Sequence, residues 1–192
     1  MRVGVLALQG DFERHQSKLH ELGVDAILIR KPRDLERCAG LIIPGGESTA
    51  LVKLLKESGL FAALQDYGKQ FPIFGTCAGL ILLSSKVTNH PIESISLLDI
   101  TVERNAYGTQ IDSFVDAIQL NLNGKLAAIE GVFIRAPKIV KIGEGVSSLG
   151  FHNKNIILVE KDHILAATFH PELTDSTVIH EYFLKKIKNH KK

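Results

Sequence analysis

Phe71-Pro72-Ile73-Phe74-Gly75-Thr76-Cys77-Ala78-Gly79-Leu80-Ile81-Leu82-Leu83 is the stretch that decides how this chain folds. A buried apolar strand at Pro72 to Phe74 runs directly into Gly-x-Cys-x-Gly, and an apolar helix starts at Ala78. This is the cysteine form of a nucleophile elbow. Gly75 and Gly79 carry no Cβ, so strand and helix can approach closely across the turn. Cys77 then stands at the sheet edge with its sulfur over the first turn of the helix. A helix N-terminus or a neighbouring imidazolium favours the thiolate, which attacks carbonyl carbon where the thiol does not. The Ala78 backbone N–H is placed to donate to the resulting oxyanion. The plainer reading of Cys77, a small buried residue in a glycine turn, leaves the spacing unexplained. Cys38, in Glu36-Arg37-Cys38-Ala39-Gly40, has no such context and reads as structural.

Upstream of the elbow, short β-branched runs alternate with helical periods. Val3 to Leu8 predicts a strand, and Phe12, Gln16, Leu19 and Leu22 follow helical spacing up to a C-cap at Gly23. Ala26 to Ile29 and Leu41 to Ile43 are further strands. Two short helices flank Ser58-Gly59. Downstream, Ile100–Glu103, Ala128–Ile134, Ile156–Glu160 and Ile164–Phe169 predict strands separated by glycine turns. A last helix, capped by Thr174 or Asp175, buries Val178, Ile179, Tyr182, Phe183 and Ile187. The order argues for a three-layer α/β fold: a mostly parallel central sheet, helices on both faces and added antiparallel strands. With 192 residues and no linker or repeat, one domain over 1–192 is the expectation.

Composition narrows the function. Hydrophobic residues are 45% and charged residues 23%, which fits a folded chain with an ordinary core. The net charge of +2, from 23 basic and 21 acidic residues, gives no electrostatic case for a nucleic-acid or membrane partner. The dense basic run from Lys185 to Lys192 reads as a solvated helix end, where the dipole favours cations. Two cysteines make no disulfide framework or Cys-x-x-Cys pair. The apolar opening reads as a strand rather than a signal peptide, and no stretch approaches the roughly 20 apolar residues of a membrane span. A reducing cytoplasm is the expected setting. No His-Glu-x-x-His or paired-cysteine spacing supports a metal, and no cofactor motif occurs.

A thiol that expels an amine needs a proton donor. Of the eight histidines, His15, His20, His90, His152, His163, His180 and His190 are expected on helix surfaces or polar loops. His170 differs: it ends the apolar strand starting at Ile164, and Pro171 halts that strand. Glu172 lies two residues on, so in an extended segment both side chains point the same way. A carboxylate there can orient the imidazole, as in a catalytic triad. The Pro44-Gly45-Gly46-Glu47-Ser48-Thr49 segment follows another strand. Its glycines can turn backbone N–H groups toward a ligand, and Ser48 or Thr49 can cap the next helix.

Pro-Gly-Gly-Glu-Ser-Thr, Gly-Thr-Cys-Ala-Gly-Leu and Phe-His-Pro-Glu-Leu-Thr together resemble the triad-type, class I glutamine amidotransferases. More narrowly, they resemble the glutaminase subunits of pyridoxal 5′-phosphate synthases. That closer likeness includes Gly4 to Gly10, Thr101-Val102-Glu103-Arg104-Asn105-Ala106-Tyr107-Gly108 and Val132-Phe133-Ile134-Arg135-Ala136-Pro137. The resemblance implies a triad of Cys77, His170 and Glu172. It also implies L-glutamine contacts from Gly46, Glu47, Ser48, Arg104, Ile134 and Arg135, and an oxyanion hole of Gly46 and Ala78 backbone amides. Arginine suits the amino acid's carboxylate through its planar fork. The implied partner is a barrel-fold synthase subunit in a hetero-oligomer, which receives ammonia through a channel and meets the Gln9-Gly10 turn.

Departures from the family pattern are Ala106 to Gln110, Lys138 and the Thr88–Ser96 loop. Subunits of other triad amidotransferases share the elbow and the His-Pro-Glu motif, but usually lack the Leu-Gln-Gly opening and the Arg-Ala-Pro segment. A cysteine peptidase or stress-response protein with a similar elbow would not need the glutamine-site turn with Arg104 and Arg135. A pure scaffold would be expected to have lost Cys77, His170 or Glu172.

Overall fold

Strands at the centre of the sheet alternate between two apolar cores. In β1 (Arg2–Leu6), Val3 and Val5 join one core and Leu6 the other. In β3 (Gly40–Ile43), Ile42 opposes Leu41 and Ile43; in β4 (Ile73–Thr76), Phe74 opposes Ile73. Successive side chains leave a strand on opposite faces, so strands apolar at nearly every position must be covered on both sides. Helices α2 (Ser48–Glu57), α3 (Leu60–Gly68) and α4 (Ala78–Leu83) cover one face, and α1 (Phe12–Glu21) and α5 (Val178–Asn189) the other. This is the expected α/β layering.

The computed structural model describes residues 1–104 and 113–190. Residues 105–112, which hold the whole of the Asn105–Gln110 segment, and the terminal Lys191 and Lys192 lie outside the described residues. The remaining strands are β2 (Asp25–Ile29), β5 (Ser84–Thr88), β6 (Leu98–Glu103), β7 (Ser113–Leu122), β8 (Lys125–Ile134), β9 (Lys138–Ile142), β10 (Ser147–His152), β11 (Asn155–Lys161) and β12 (Ile164–Ala167). A nine-stranded sheet runs β2-β1-β3-β4-β12-β11-β10-β7-β8. The pairings from β2 to β12 are parallel and those from β12 to β8 antiparallel. A separate β5-β6-β9 sheet packs into the core of α2, α3 and α4. No helix among the described residues is long and apolar enough to cross a membrane.

Several expected boundaries move. β1 ends at Leu6 rather than Leu8, because the following turn folds over the Gly45 peptide. Gly10 sits there at φ +80°, and a Cβ on it would lie 1.8 Å from the Gly45 carbonyl oxygen. β12 ends at Ala167 rather than Phe169, and Pro171–Leu173 forms a single 3₁₀ turn with proline at its start. Proline's fixed φ suits that first helical position. This turn takes Thr174, one of the two residues expected to cap the last helix, as its own C-cap. Thr174 instead donates its hydroxyl to the Pro171 carbonyl at 3.2 Å, and Thr177 stands at the N-cap of α5. Nor do Ser48 or Thr49 cap α2; Glu47 does, accepting from the Thr49 and Ala50 amides at 2.9 and 2.6 Å. β5, β7, β9 and β10 escaped the hydrophobic pattern, since polar positions interrupt their runs. In β7 the residues before Ile118 are exposed or half-buried.

The elbow is closely packed. Cys77 adopts φ 47° and ψ −101°. A Cβ on Gly79 would sit 2.2 Å from the Ile43 carbonyl oxygen, and one on Gly75 would sit 2.7 Å from the Gly79 carbonyl carbon. Those neighbours are backbone and cannot rotate away. Gly79→Ala should therefore cost about 1–3 kcal/mol of stability by overpacking, read as a lower denaturant midpoint at unchanged m-value.

Candidate active site

The site forms where β4 and β12 end side by side. Their parallel register pairs Thr76 with Ala167, and the Cys77 amide donates to the Ala167 carbonyl at 2.9 Å. Cys77 therefore leaves the sheet beside the chain that leads to His170. The His170 amide is held from the other side, donating to the Val132 carbonyl of β8 at 2.8 Å. Both side chains are nearly buried and come within contact range of Gly45. The Cys77 sulfur also reaches the Ile134 carbonyl at 4.0 Å.

Glu172 is positioned differently from the sequence expectation. The segment is not extended; the 3₁₀ turn curls it back, and Glu172 Oε1 accepts from His170 Nδ1 at 2.7 Å. That bond assigns the remaining ring nitrogen, Nε2, to the sulfur side. Burial is the strongest single influence on His170 and pushes its pKa down. Hydrogen bonds and charge from Cys77 and Glu172 outweigh it and raise the imidazole to about 10. Burial likewise works hardest on Glu172, upward, yet His15 and then His170 hold the carboxyl below its ordinary range.

A cavity of about 220 Å³ opens over the sulfur. It is lined by Gly46, Glu47, Ser48, Cys77, Arg104, Ile134, Arg135 and His170, with Asp11 and Ile81. The predicted glutamine contacts thus meet at one cleft, whose size suits an amino acid better than the roughly 300–1,000 Å³ of drug-sized sites. A larger cleft of about 390 Å³ beside α5, bounded by Glu160, His163 and Lys185, is lined by no cysteine. Ala78 contributes no lining side chain. Its amide is among the first N–H groups of α4, which lack acceptors within the helix. Gly46 sits at φ +144°, and a Cβ there would lie 2.0 Å from the Gln9 amide oxygen. Gln9 also accepts from the Glu47 amide at 3.1 Å, so the β1–α1 turn grips the glycine turn.

Arg104 is tethered by three contacts. It donates to the His90 carbonyl at 2.9 Å, and to Glu47 Oε1 and Thr49 Oγ1 at 3.3 Å each. The unusual Thr88–Ser96 loop therefore supplies an anchor for this arginine. Glu47 is committed twice, to the α2 cap and to Arg104. Arg135 is exposed at φ 42°; with Cys77 at 47° it is one of two non-glycine residues lining the cleft that are held at positive φ, a conformation that costs on the order of 1–3 kcal/mol. Among the described residues, Asp11, His170 and Glu172 bring metal-ligand atoms within 4.8 Å of one another, but His170 and Glu172 are already bonded together.

Sequence reasoning misplaced three histidines. His15, His180 and His152 are buried rather than on surfaces. His15 and His180 lie directly beneath Glu172: His15 Nε2 is 3.2 Å from Glu172 Oε2, and His15 Nδ1 is 3.0 Å from His180 Nε2. The signal was available. His15 shares the buried stripe of α1 with Leu19, and His180 that of α5 with Leu184 and Ile187. Burial lowers the pKa of both, that of His180 to about 3.

A cysteine elbow at the edge of a parallel sheet, with an imidazole and a carboxylate in line behind it, defines a glutamine amidotransferase of the triad class. The chain belongs to the SNO glutamine amidotransferase family, which matches residues 5–189. It is 47% identical over 189 residues to the pyridoxal 5′-phosphate synthase subunit PdxT of Thermosipho africanus, covering 98% of this chain and all of that one. The PdxT of Koribacter versatilis is also 47% identical, over 98% of this chain and 97% of its own. A crystal structure of a glutamine amidotransferase superposes with a TM-score of 0.90 at 40% identity, covering 97% and 98% of the two chains. A chain of the PurLQS structure from Thermotoga maritima, at 16% identity and TM-score 0.67 over 98% and 97% of the two chains, shares the fold.

The histidines give stability a two-sided pH dependence. The raised His170 stabilises the fold fully below its ordinary 6.5, and that contribution is lost as pH climbs through about 10. The lowered His180 stabilises above 6.5, and that contribution is lost as pH falls through about 3. Thermal midpoints measured across that window should peak near pH 6.5. Cys77→Ala should flatten the alkaline limb and His180→Gln the acidic one.

Proposed function

We propose that this chain is the glutaminase subunit of a pyridoxal 5′-phosphate synthase, acting as one domain over residues 1–192. The observation that carries the chemistry is the buried line from the Cys77 sulfur through His170 to Glu172 Oε1, closed by the 2.7 Å bond at its inner end. The full-length likeness to the PdxT subunits carries the biological assignment.

The Cys77 thiolate attacks the carboxamide carbon of L-glutamine, forming a carbon–sulfur bond and a tetrahedral oxyanion. The Ala78 and Gly46 amides receive that charge. His170, held as imidazolium by Glu172, protonates the departing nitrogen, and ammonia leaves a glutamyl thioester. His170 then takes a proton from water. The hydroxide adds to the thioester carbon and the sulfur departs as thiolate, releasing glutamate. Arg104 and Arg135 are suited to grip the amino acid's carboxylate, and Gly46, Glu47, Ser48 and Ile134 shape the rest of the pocket. Ammonia passes to a barrel-fold synthase subunit in the reducing cytoplasm, and the Gln9-Gly10 turn lies on the face that meets it. The strong raising of His170 favours this reading over a scaffold, which would have no use for an imidazolium beside a sulfur.

Glutamate release should be weak for the isolated chain and rise when the synthase subunit is added. Cys77→Ala should lower it by about 10³-fold or more while the complex still assembles; parental turnover in that variant would overturn the assignment. A glutamine-analogue electrophile should add one adduct, found by peptide mass spectrometry on Cys77. Cys38 should escape, because burial pushes its thiol up to about 11 and leaves little thiolate.

A further inference from the structure

Glu172 presents an unfinished piece of chemistry. Its side chain is fully buried, and Oε1 is satisfied by His170. Oε2 is also inaccessible and accepts no aligned hydrogen bond. A carboxylate left this way would be strongly destabilised unless something of opposite polarity faced it. What faces it is the ring of His15, with Nε2 3.2 Å from Oε2 and 3.3 Å from Thr76 Oγ1.

Two tautomers of His15 are conceivable, and its surroundings choose between them. His15 Nδ1 meets His180 Nε2 at 3.0 Å, so one of those nitrogens carries the proton. His180 Nδ1 is buried with no partner. If His15 carried its proton on Nδ1, His180 would carry its own on Nδ1, burying an unpaired N–H. The same choice would aim the bare Nε2 lone pair of His15 at a carboxylate oxygen. If His180 instead donates from Nε2, its orphaned atom is a lone pair, which is cheaper to leave bare. His15 then carries its proton on Nε2, toward Thr76 and Glu172. Both unfavourable contacts vanish in that arrangement.

We propose that His15 is a positioning residue of this site: the Nε2–H of its fully buried imidazole supplies the positive end that faces Glu172 Oε2, and so fixes the carboxylate that orients His170. The line at the sheet edge thus extends inward from Cys77 through His170, Glu172 and His15 to His180, joining the 3₁₀ turn to α1 and α5. Burial keeps His15 neutral, so it acts as a fixed dipole rather than a second cation. The groups acting on this pair from the packed elements are Asp11 and Lys18 of the α1 segment and His170 and Glu172 of the 3₁₀ turn. The inference rests on the Cys77–His170–Glu172 glutaminase reading.

The test compares two amides at this position. The nitrogen of His15→Gln reaches about as far as Nε2, whereas that of His15→Asn stops near Nδ1. In complex with the synthase subunit, His15→Asn should lower kcat by roughly 10–100-fold, the usual cost of losing an outer partner, with KM for glutamine within about twofold. His15→Gln should keep kcat within about threefold of the parent. Iodoacetamide should alkylate Cys77 more slowly in His15→Asn than in His15→Gln. Equal losses in both variants, or parental kcat in both, would overturn the proposal. ¹⁵N NMR of the unaltered protein decides the matter should His15→Asn fail to fold. An unprotonated His15 Nδ1 is expected, and a protonated one sinks the idea. A parent complex that releases no glutamate overturns the glutaminase reading alone, because the tautomer and the alkylation rates are read without glutamine.

Discussion

Thr76 and Ala167 face each other across neighbouring parallel strands, and the Cys77 amide carries that ladder one residue past the end of β4. The site is a consequence of this pairing. A slip of one residue would turn Thr76 from the α1 face to the α4 face and take the sulfur away from the imidazole. The register is protected because both strands are apolar on both faces: Ile73 and Ile164 fill one core, Phe74 and Leu165 the other. Hydrophobic burial, which has no directional preference of its own, thereby holds a directional arrangement of polar atoms.

The polar line runs against the grain of that core. One carboxyl group and three imidazoles lie almost wholly out of solvent, with only His170 reaching the cleft. Each is tolerated because the next one in the chain answers it, and removing a single partner from such a network leaves the others unpaired. The 3₁₀ turn at Pro171–Leu173 makes this possible. It folds Glu172 back onto His170 at 2.7 Å and leaves Oε2 turned toward α1. The outer half of the site is built otherwise, from glycines, left-handed residues and exposed arginine. There, backbone shape rather than burial sets the geometry.

Much of this was legible from local pattern. Gly-x-Cys-x-Gly between an apolar strand and an apolar helix announced the elbow, since few other arrangements need two small residues at that spacing. The helices showed through their periods. Legibility failed where one residue answers to a distant neighbour. The antiparallel strands β7, β9 and β10 are half-exposed, so their alternation is diluted by polar positions. The cap of α2 fell to Glu47 rather than Ser48 or Thr49, in company with Arg104 from the turn after β6. His15 and His180 sat on apolar helical stripes, but polarity alone argued for the surface. Only the buried carboxylate opposite them makes an interior position sensible.

The order of residues along the chain, through short-range sterics and the spacing of apolar side chains, was enough for the α/β class, the placing of Cys77 on a strand-to-helix elbow and the pairing of His170 with Glu172. Long-range pairing settled the rest: which strands adjoin, how β4 and β12 align, and which histidines stand behind the carboxylate. Such contacts join residues as far apart as His15 and His180, whose relative placement depends on the packing of the whole sheet between their two helices and is written in no local stretch.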